Sequence, residues 1–581
     1  MESTAKQASS DVHSLYILDA IGPFFRASPA GRINWSKIPF ADLEYEGEVR
    51  RELFPEIRRE FEIVCARAAA FGYNAISIDD LAHLFDHPAY PADLRARIHA
   101  YQEEFGLLFE IAGRHGLGIY ITTDIMYFHP AIDAVCGSSF VRQMDFLAGA
   151  IDDVLTRYPV AGIISRIGES DGLDVEGDFH SRLIIRHPRQ ARRCVQRLLP
   201  VFEHHQRTWI FRTWSVGAYR VGDLIWNRDT LHDVFDGFRS DALILSMKHG
   251  ESDFFRYLPV NKQFFRGDLK RIIEIQARRE YEGAGEYPSF IGGEVERFRD
   301  ALRDTPNLCG IMVWCQTGGW IRFRRLTFLD REGLWNEINT WVAIRIMKDG
   351  KNADAAIVAW CRRFAPDLNY AELLHFLQLS SEVVTKLLYV DEYALRKVFF
   401  RRLRLPPLLS VFWDHVIINH SMRQLLRCFV VNGDAVIARG RDAMAKIDEM
   451  RILAERLGLP VKDVDFMRDT FAIFAVAREY YFGEYTPELA DRLRGMREQY
   501  RSRHAIRYSI HLDFNPVQIK THRLRWYLGI LFRDKRGYRL LDRFFTIRIL
   551  GWTYPLLRRL GAKFLPEFSQ KQAMGIDTLF R

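Results

Sequence analysis

The chain has 581 residues, 48% of them hydrophobic and 27% charged, with a formal net charge of +8. That is ample apolar material for a large core and for two or more domains. The polar start MESTAKQASSDVHS has no apolar h-region, and no apolar run approaches the roughly 20 residues that cross a bilayer, so neither a secretory signal nor a membrane-spanning segment is expected.

The seven cysteines are scattered, odd in number and free of any CxxC pair. This argues against a disulfide framework and a cysteine-built zinc site, and it fits a cytoplasmic setting. The positive charge is concentrated from Arg497 onward, where 18 basic residues face 6 acidic ones. The excess therefore belongs to the C-terminal tail, whose basic aromatic run spans Arg523 to Phe564, and not to the rest of the chain. Residues 1–12 are expected to be a disordered lead.

In chain order, strand-like runs are expected at Leu15 to Leu18, Ala75 to Ile78, Gly118 to Thr122 and Gly162 to Ile167. Four more follow at Thr208 to Trp214, Leu243 to Met247, Ile272 to Ile275 and Gly310 to Trp314. Helical periods separate most of them: Arg50 to Phe71, Pro91 to His115, Phe140 to Arg157, Pro188 to His205 and Gly293 to Leu302. Between the sixth and seventh strands, Gly250 to Lys270 has no clear helix. The alternation predicts a parallel α/β sheet, and eight units in this length predict a closed (β/α)8 TIM barrel over residues 13–330. From about Leu334 helical periods dominate, including Asp391 to Arg401, and predict a mainly α-helical C-terminal domain over 331–581, packed firmly on the barrel.

A barrel keeps its chemistry at the C-terminal ends of its strands. Those ends carry Asp79 and Asp80, Asp124, Arg166 and Glu169, Arg212 and Trp214, Lys248 and Asp253, Glu280, and Trp314 with Trp320. Carboxylates, cations and indoles converging on one mouth suit glycoside hydrolysis, in which one carboxyl protonates the leaving oxygen and another activates water or attacks the anomeric carbon. Burial and neighbouring carboxylates keep such an acid protonated near neutral pH. Trp and Tyr offer flat faces to sugars. No phosphate loop, paired metal-ligand histidines or nucleic-acid signature is found, and no cofactor or metal is implied.

The sixth- and seventh-strand segments carry a resemblance. Met247-Lys248-His249-Gly250-Glu251-Ser252-Asp253-Phe254 and Arg279-Glu280-Tyr281-Glu282-Gly283 resemble the V-K-N-G-x-x-D-F and Q-E-Y-x-G patterns of the family 67 α-glucuronidases. The resemblance covers residues 60–320 and, more loosely, the helical domain; that family's N-terminal β-rich domain is not expected here. It implies an inverting α-glucuronidase-like enzyme in which Asp253 and Glu280 lie by the attacking water and Glu169 is the acid. It also implies that Arg212 and Lys248 bind a uronate carboxylate. Where the family has a Lys four residues before its acid, this chain has Ser165, with Arg166 beside it.

The expected partner is a small oligosaccharide, uronic-acid-containing on this resemblance, with a homodimer contact expected through the helical domain. Three rival readings remain. One is a retaining glycosidase with Glu169 as acid/base and Glu280 as nucleophile. Another is a serine hydrolase using Ser170 in Gly168-Glu169-Ser170-Asp171-Gly172, although the acidic stretch that follows lacks the helix this motif needs. The third is a non-catalytic carbohydrate-binding or scaffold protein.

Overall fold

The computed structural model describes residues 14–26, 38–168, 178–215, 219–316, 322–323, 325–400, 403–404, 411–412, 414–514, 521–533 and 540. The expected lead at 1–12 and most of the basic tail lie outside them. Eight parallel strands close a barrel in sequential order. They are β1 (Leu15–Asp19), β2 (Ala75–Asp79), β3 (Gly118–Asp124), β4 (Gly162–Arg166), β5 (Thr208–Arg212), β6 (Leu243–Lys248), β7 (Lys270–Gln276) and β8 (Leu308–Trp314). β8 pairs with β1 and seals the ring.

Strands of such a barrel are covered on both faces, which is why they read as nearly continuous apolar runs. Successive side chains point to opposite sides. One set, including Ile17, Tyr120, Ile164, Ile210, Ile244, Ile272 and Met312, forms a closed interior cluster. The other set joins a larger core shared with the surrounding helices and the C-terminal domain, so barrel and domain are packed as one body. The floor of the interior depends on an exchange of volume between neighbours. Tyr120 on β3 lies in register with Gly162 on β4, and its ring fills the space that glycine leaves open.

Helices Gly47–Phe71, Ala92–Arg114, Phe140–Arg157, Pro188–His205 and Gly292–Leu302 wrap the outside close to the expected bounds. The first stops at Gly72, whose left-handed backbone (φ +98°) turns its N–H back to the Ala68 and Ala69 carbonyls. Between β6 and β7 there is only a short 3-10 turn, Lys262–Phe265. Helix Leu334–Asp349 packs against helix Gly292–Leu302 and β8. Its Lys348 and Thr340 bond Gly72 and Tyr73 at the other side of the seam. It follows β8 and packs on the outside of the barrel, just past residue 330, where the sequence pattern places the barrel's end.

The C-terminal part is built on helices Tyr370–Leu388, Gly433–Leu457, Val461–Phe482 and Pro487–Arg503. Two departures from expectation occur here. The helix expected over Asp391 to Arg401 stops at Ala394, and Phe399–Phe400 is extended; β-formers Val398, Phe399 and Phe400 follow the short turn. A five-residue strand, His415–Asn419, pairs in parallel with Ser509–Asp513. No helix among the described residues is long and apolar enough to cross a membrane.

A methyl group at Gly162 would stand 1.9 Å from the Thr208 carbonyl oxygen and 3.0 Å from the Tyr120 ring. Neither backbone nor ring has room to give. Gly162→Ala is expected to destabilise the protein by about 3 kcal/mol or more, measured by urea unfolding. A loss below about 1 kcal/mol would contradict this account of the barrel floor.

Candidate active site

By the same alternation that places the apolar interior, each strand ends with an inward side chain at one rim: Asp19, Asp79, Asp124, Arg166, Arg212, Lys248, Gln276 and Trp314. The eight positions form one ring above the apolar plug. Burying so many polar groups is tolerable only when they are paired, and the pairs are specific. Arg166 Nε donates to Asp124 Oδ1 at 2.8 Å, and Ser181 donates to the other oxygen of that carboxylate. Asp80 accepts the Ala82 N–H at 3.3 Å and caps the turn after β2. Asp79 is buried beside it.

Arg212 makes a two-pronged pair with Glu274 of β7, Nε to Oε1 at 3.0 Å and Nη2 to Oε2 at 2.7 Å. Ser246 Oγ (2.8 Å) and Trp314 Nε1 (3.0 Å) also donate to Glu274. The Arg212 guanidinium lies over the Trp314 ring, 4.7 Å from its centre. Lys248 Nζ pairs with Asp253 Oδ1 and stands 3.6 Å from the centre of the Trp214 ring. Tyr281 donates its hydroxyl to Asp253 Oδ2 at 2.9 Å, and the Phe254 N–H to Oδ1 at 2.9 Å. Tyr281 directly follows Glu280, whose own N–H is held by Gln276 Oε1 at 3.0 Å.

The structure thus brings Arg166 to Asp124, Arg212 to Trp314, and Lys248 to Asp253 and Trp214, with Glu280 next to the Tyr281 that bonds Asp253. Glu169, Ser170 and Trp320 lie outside the described residues. One expectation changes in kind. Trp214 and Trp314 are only 6% and 3% exposed, and a cation of the chain lies on a face of each. They hold Lys248 and Arg212 in place, a cation–π role, instead of presenting an open platform to a sugar.

Sequence reasoning missed three carboxylates. Glu274 sits inside the apolar run Arg271-Ile272-Ile273-Glu274-Ile275, where a charge in a strand buried on both faces was itself the signal. Asp19 lies one residue past the run expected at Leu15 to Leu18, yet it ends β1 on the inward side. Glu282 lies two residues beyond Glu280. It accepts Arg256 Nη2 (3.0 Å), Arg279 Nε (3.1 Å), Ser289 Oγ (2.5 Å) and the Tyr389 hydroxyl of the helical domain (2.7 Å).

Burial pushes the Glu274 carboxyl up, but the charge and bonds of Arg212, with Lys248 and Ser246, outweigh it and leave the group below its ordinary range. Glu282 is held far below its ordinary range: burial opposes ionisation, and the charges of Arg256 and Arg279 overcome it. At Asp19 burial wins. Its carboxyl is pushed up from 3.8 to about 6, despite the Cys315 and Gln316 N–H groups and the Arg278 charge. Burial pulls the neighbouring Arg278 down to about 10. It also drives His249 down to about 3, helped by Arg279, so that imidazole is neutral and packs flat on Phe298 at 4.5 Å.

No protein-family model matches the chain, and no curated protein matches it. Solved structures do. A GH138 enzyme targeting pectin rhamnogalacturonan II superposes with a TM-score of 0.54 at 11% identity, covering 85% of this chain and 63% of that one. The Thermobaculum terrenum O-GlcNAc hydrolase gives 0.37 at 11% identity, covering 77% and 86%. The β-mannanase of the blue mussel Mytilus edulis gives 0.31 at 11% identity, covering 59% and 94%. At these identities the likeness is one of fold, and this chain spans under two thirds of the GH138 enzyme's length. The class defined is a (β/α)8 barrel with a helical C-terminal domain, whose structural neighbours include glycoside hydrolases.

Asp19 gives a pH test. Its native pKa lies above its unfolded value, so the ionised carboxyl opposes folding. That cost is absent below about pH 3.8 and complete above about pH 6, where it amounts to about 3 kcal/mol. Asp19→Asn removes it. Relative to wild type, the variant is expected to gain stability by about that amount between pH 4 and pH 7 in urea unfolding. An equal difference at both pH values would contradict the assignment.

Proposed function

We propose that this protein is a glycoside hydrolase working at the barrel mouth on a uronic-acid-containing oligosaccharide by an inverting mechanism. In this reading Glu169 protonates the departing oxygen, and Asp253 with Glu280 holds the attacking water. Arg212 and Lys248 face the sugar's carboxylate.

The observation that carries the reading is how Asp253 is held. Its three partners among the described residues, Lys248, Tyr281 and the Phe254 N–H, are all donors. A carboxylate offers about four acceptor positions, so one remains on Oδ2. Asp253 is 15% exposed at its side chain, whereas Glu274 is fully buried. An accepting carboxylate with one open position, reachable from the mouth, suits a base that takes a proton from water. It does not suit the acid, which must come from another strand end, and Glu169 follows β4. Arg212 spends Nε and Nη2 on Glu274, and Nη1 makes no hydrogen bond among the described residues. Lys248 Nζ pairs only with Asp253 among them. Both cations therefore keep donors for a ligand. The structural neighbour with the TM-score of 0.54 targets pectin rhamnogalacturonan II, so pectic oligosaccharides are the first substrates to try.

The test is incubation with aryl glycosides, aryl uronides and rhamnogalacturonan II fragments, with the anomeric protons of fresh product followed by NMR. Inverted product is expected, together with a loss of kcat of about 1,000-fold in Asp253→Asn, within the range for removing a general base. Retained product would support Glu280 as nucleophile instead. Binding without turnover, unchanged in Asp253→Asn, would overturn the enzymatic reading.

A further inference from the structure

Glu274 has no role in the chemistry above, yet its carboxylate is fully used in hydrogen bonding. Its four acceptor positions are filled by Arg212 Nε, Arg212 Nη2, Ser246 Oγ and Trp314 Nε1, at 2.7 to 3.0 Å. These donors come from β5, β6 and β8, while Glu274 itself stands on β7. One carboxylate therefore ties four consecutive strands together just below the mouth. It has no acceptor position left for a substrate or a water, and its side chain is 0% exposed, so it does not touch the reacting atoms.

What it does control is Arg212. A guanidinium is planar, and two parallel bonds to one carboxylate fix both its position and its plane. The Trp314 ring beneath it, 4.7 Å away, removes the remaining freedom to tilt. Trp314 is in turn held by its own bond to the same carboxylate. The arrangement leaves Nη1 as the edge of Arg212 with no protein hydrogen bond among the described residues.

We propose that Glu274 is a positioning residue that acts through Arg212, locking the guanidinium so that Nη1 meets a substrate oxygen in one orientation. The inference rests on the glycoside hydrolase reading of the mouth. It adds to it a residue that fixes substrate affinity without entering the reaction. Because Arg212 would bind the same oxygen in the ground state and in the transition state, Glu274 governs KM and leaves kcat nearly alone.

The experiment compares wild type, Glu274→Gln and Ser246→Ala on the best substrate of the panel. Glu274→Gln cannot accept both Arg212 bonds and is expected to raise KM at least tenfold, with kcat within about threefold. Ser246→Ala removes one bond from an uncharged donor to the carboxylate and is expected to raise KM by about threefold. It keeps the test open if the first variant does not fold. In a double-mutant cycle the KM of Arg212→Met/Glu274→Gln should match that of Arg212→Met, since nothing is left for Glu274 to position. An unchanged KM in Glu274→Gln and Ser246→Ala, or a Glu274→Gln effect that persists beside Arg212→Met, overturns the proposal. So does a collapse of kcat at constant KM. A crystal structure of Glu274→Gln gives a readout that needs no turnover. Arg212 should leave its position over Trp314, and an unmoved guanidinium would refute the inference. Absence of turnover by wild type, with Arg212 displaced in the variant, would instead count against the hydrolase reading alone.

Discussion

Glu282 is the constraint on which the mouth depends. A single buried carboxylate receives two arginines, a serine hydroxyl and a tyrosine hydroxyl. Arg256 lies three residues beyond Asp253, and Arg279 immediately precedes Glu280. The loop after β6 and the loop after β7 are therefore fastened to one point, a few residues from the two carboxylates they carry. Two cations on one anion would leave an excess buried charge. Glu294 stands 4.0 Å from Arg256 and 3.8 Å from Arg279 and restores the balance. Desolvating four charges is costly, and it is offset here by near-complete hydrogen bonding of the Glu282 carboxylate. Tyr389 brings the helical domain into the same cluster, and a second link runs from Arg325 to Asp463 at 2.6 and 2.8 Å. The helical domain thus bears directly on the loops that shape the mouth.

The carboxylates of the barrel divide by how many acceptor positions the protein itself uses. Glu274 and Glu282 are saturated and fully buried, and they organise cations. Asp253 has three donors among the described residues, which leaves one acceptor position, and it is partly exposed. Asp19 lies between these cases, bonded by backbone N–H groups but without a guanidinium of its own, and its carboxyl holds its proton to about pH 6. The same residue type at the same rim thus takes different roles because its partners differ.

Much of this was legible in the sequence. Strands covered on both faces leave apolar runs that end in a charge, and that pattern located the eight barrel strands and the ring at their C-terminal ends. Asp253 and Lys248 were visible because they follow one such run. The pairings were not visible, because a closed barrel joins residues far apart along the chain: Arg212 and Glu274 are 62 positions apart, and β6 lies between their strands. Glu274 was hidden by the apolar residues on both sides of it. The indoles were misjudged because a Trp at a strand end serves a cation as readily as a sugar, and only the neighbouring strands decide which. The short strand at His415–Asn419 escaped notice because its parallel partner lies some 90 residues on and five residues carry little pattern of their own.

The most direct measurement is hydrogen exchange on Glu282→Gln, read by mass spectrometry against wild type. If one carboxylate fastens both loops, amides in 249–261 and 277–291 should exchange together at least about tenfold faster, while those of β2 to β4 keep their protection. Unchanged protection in either loop would contradict the account.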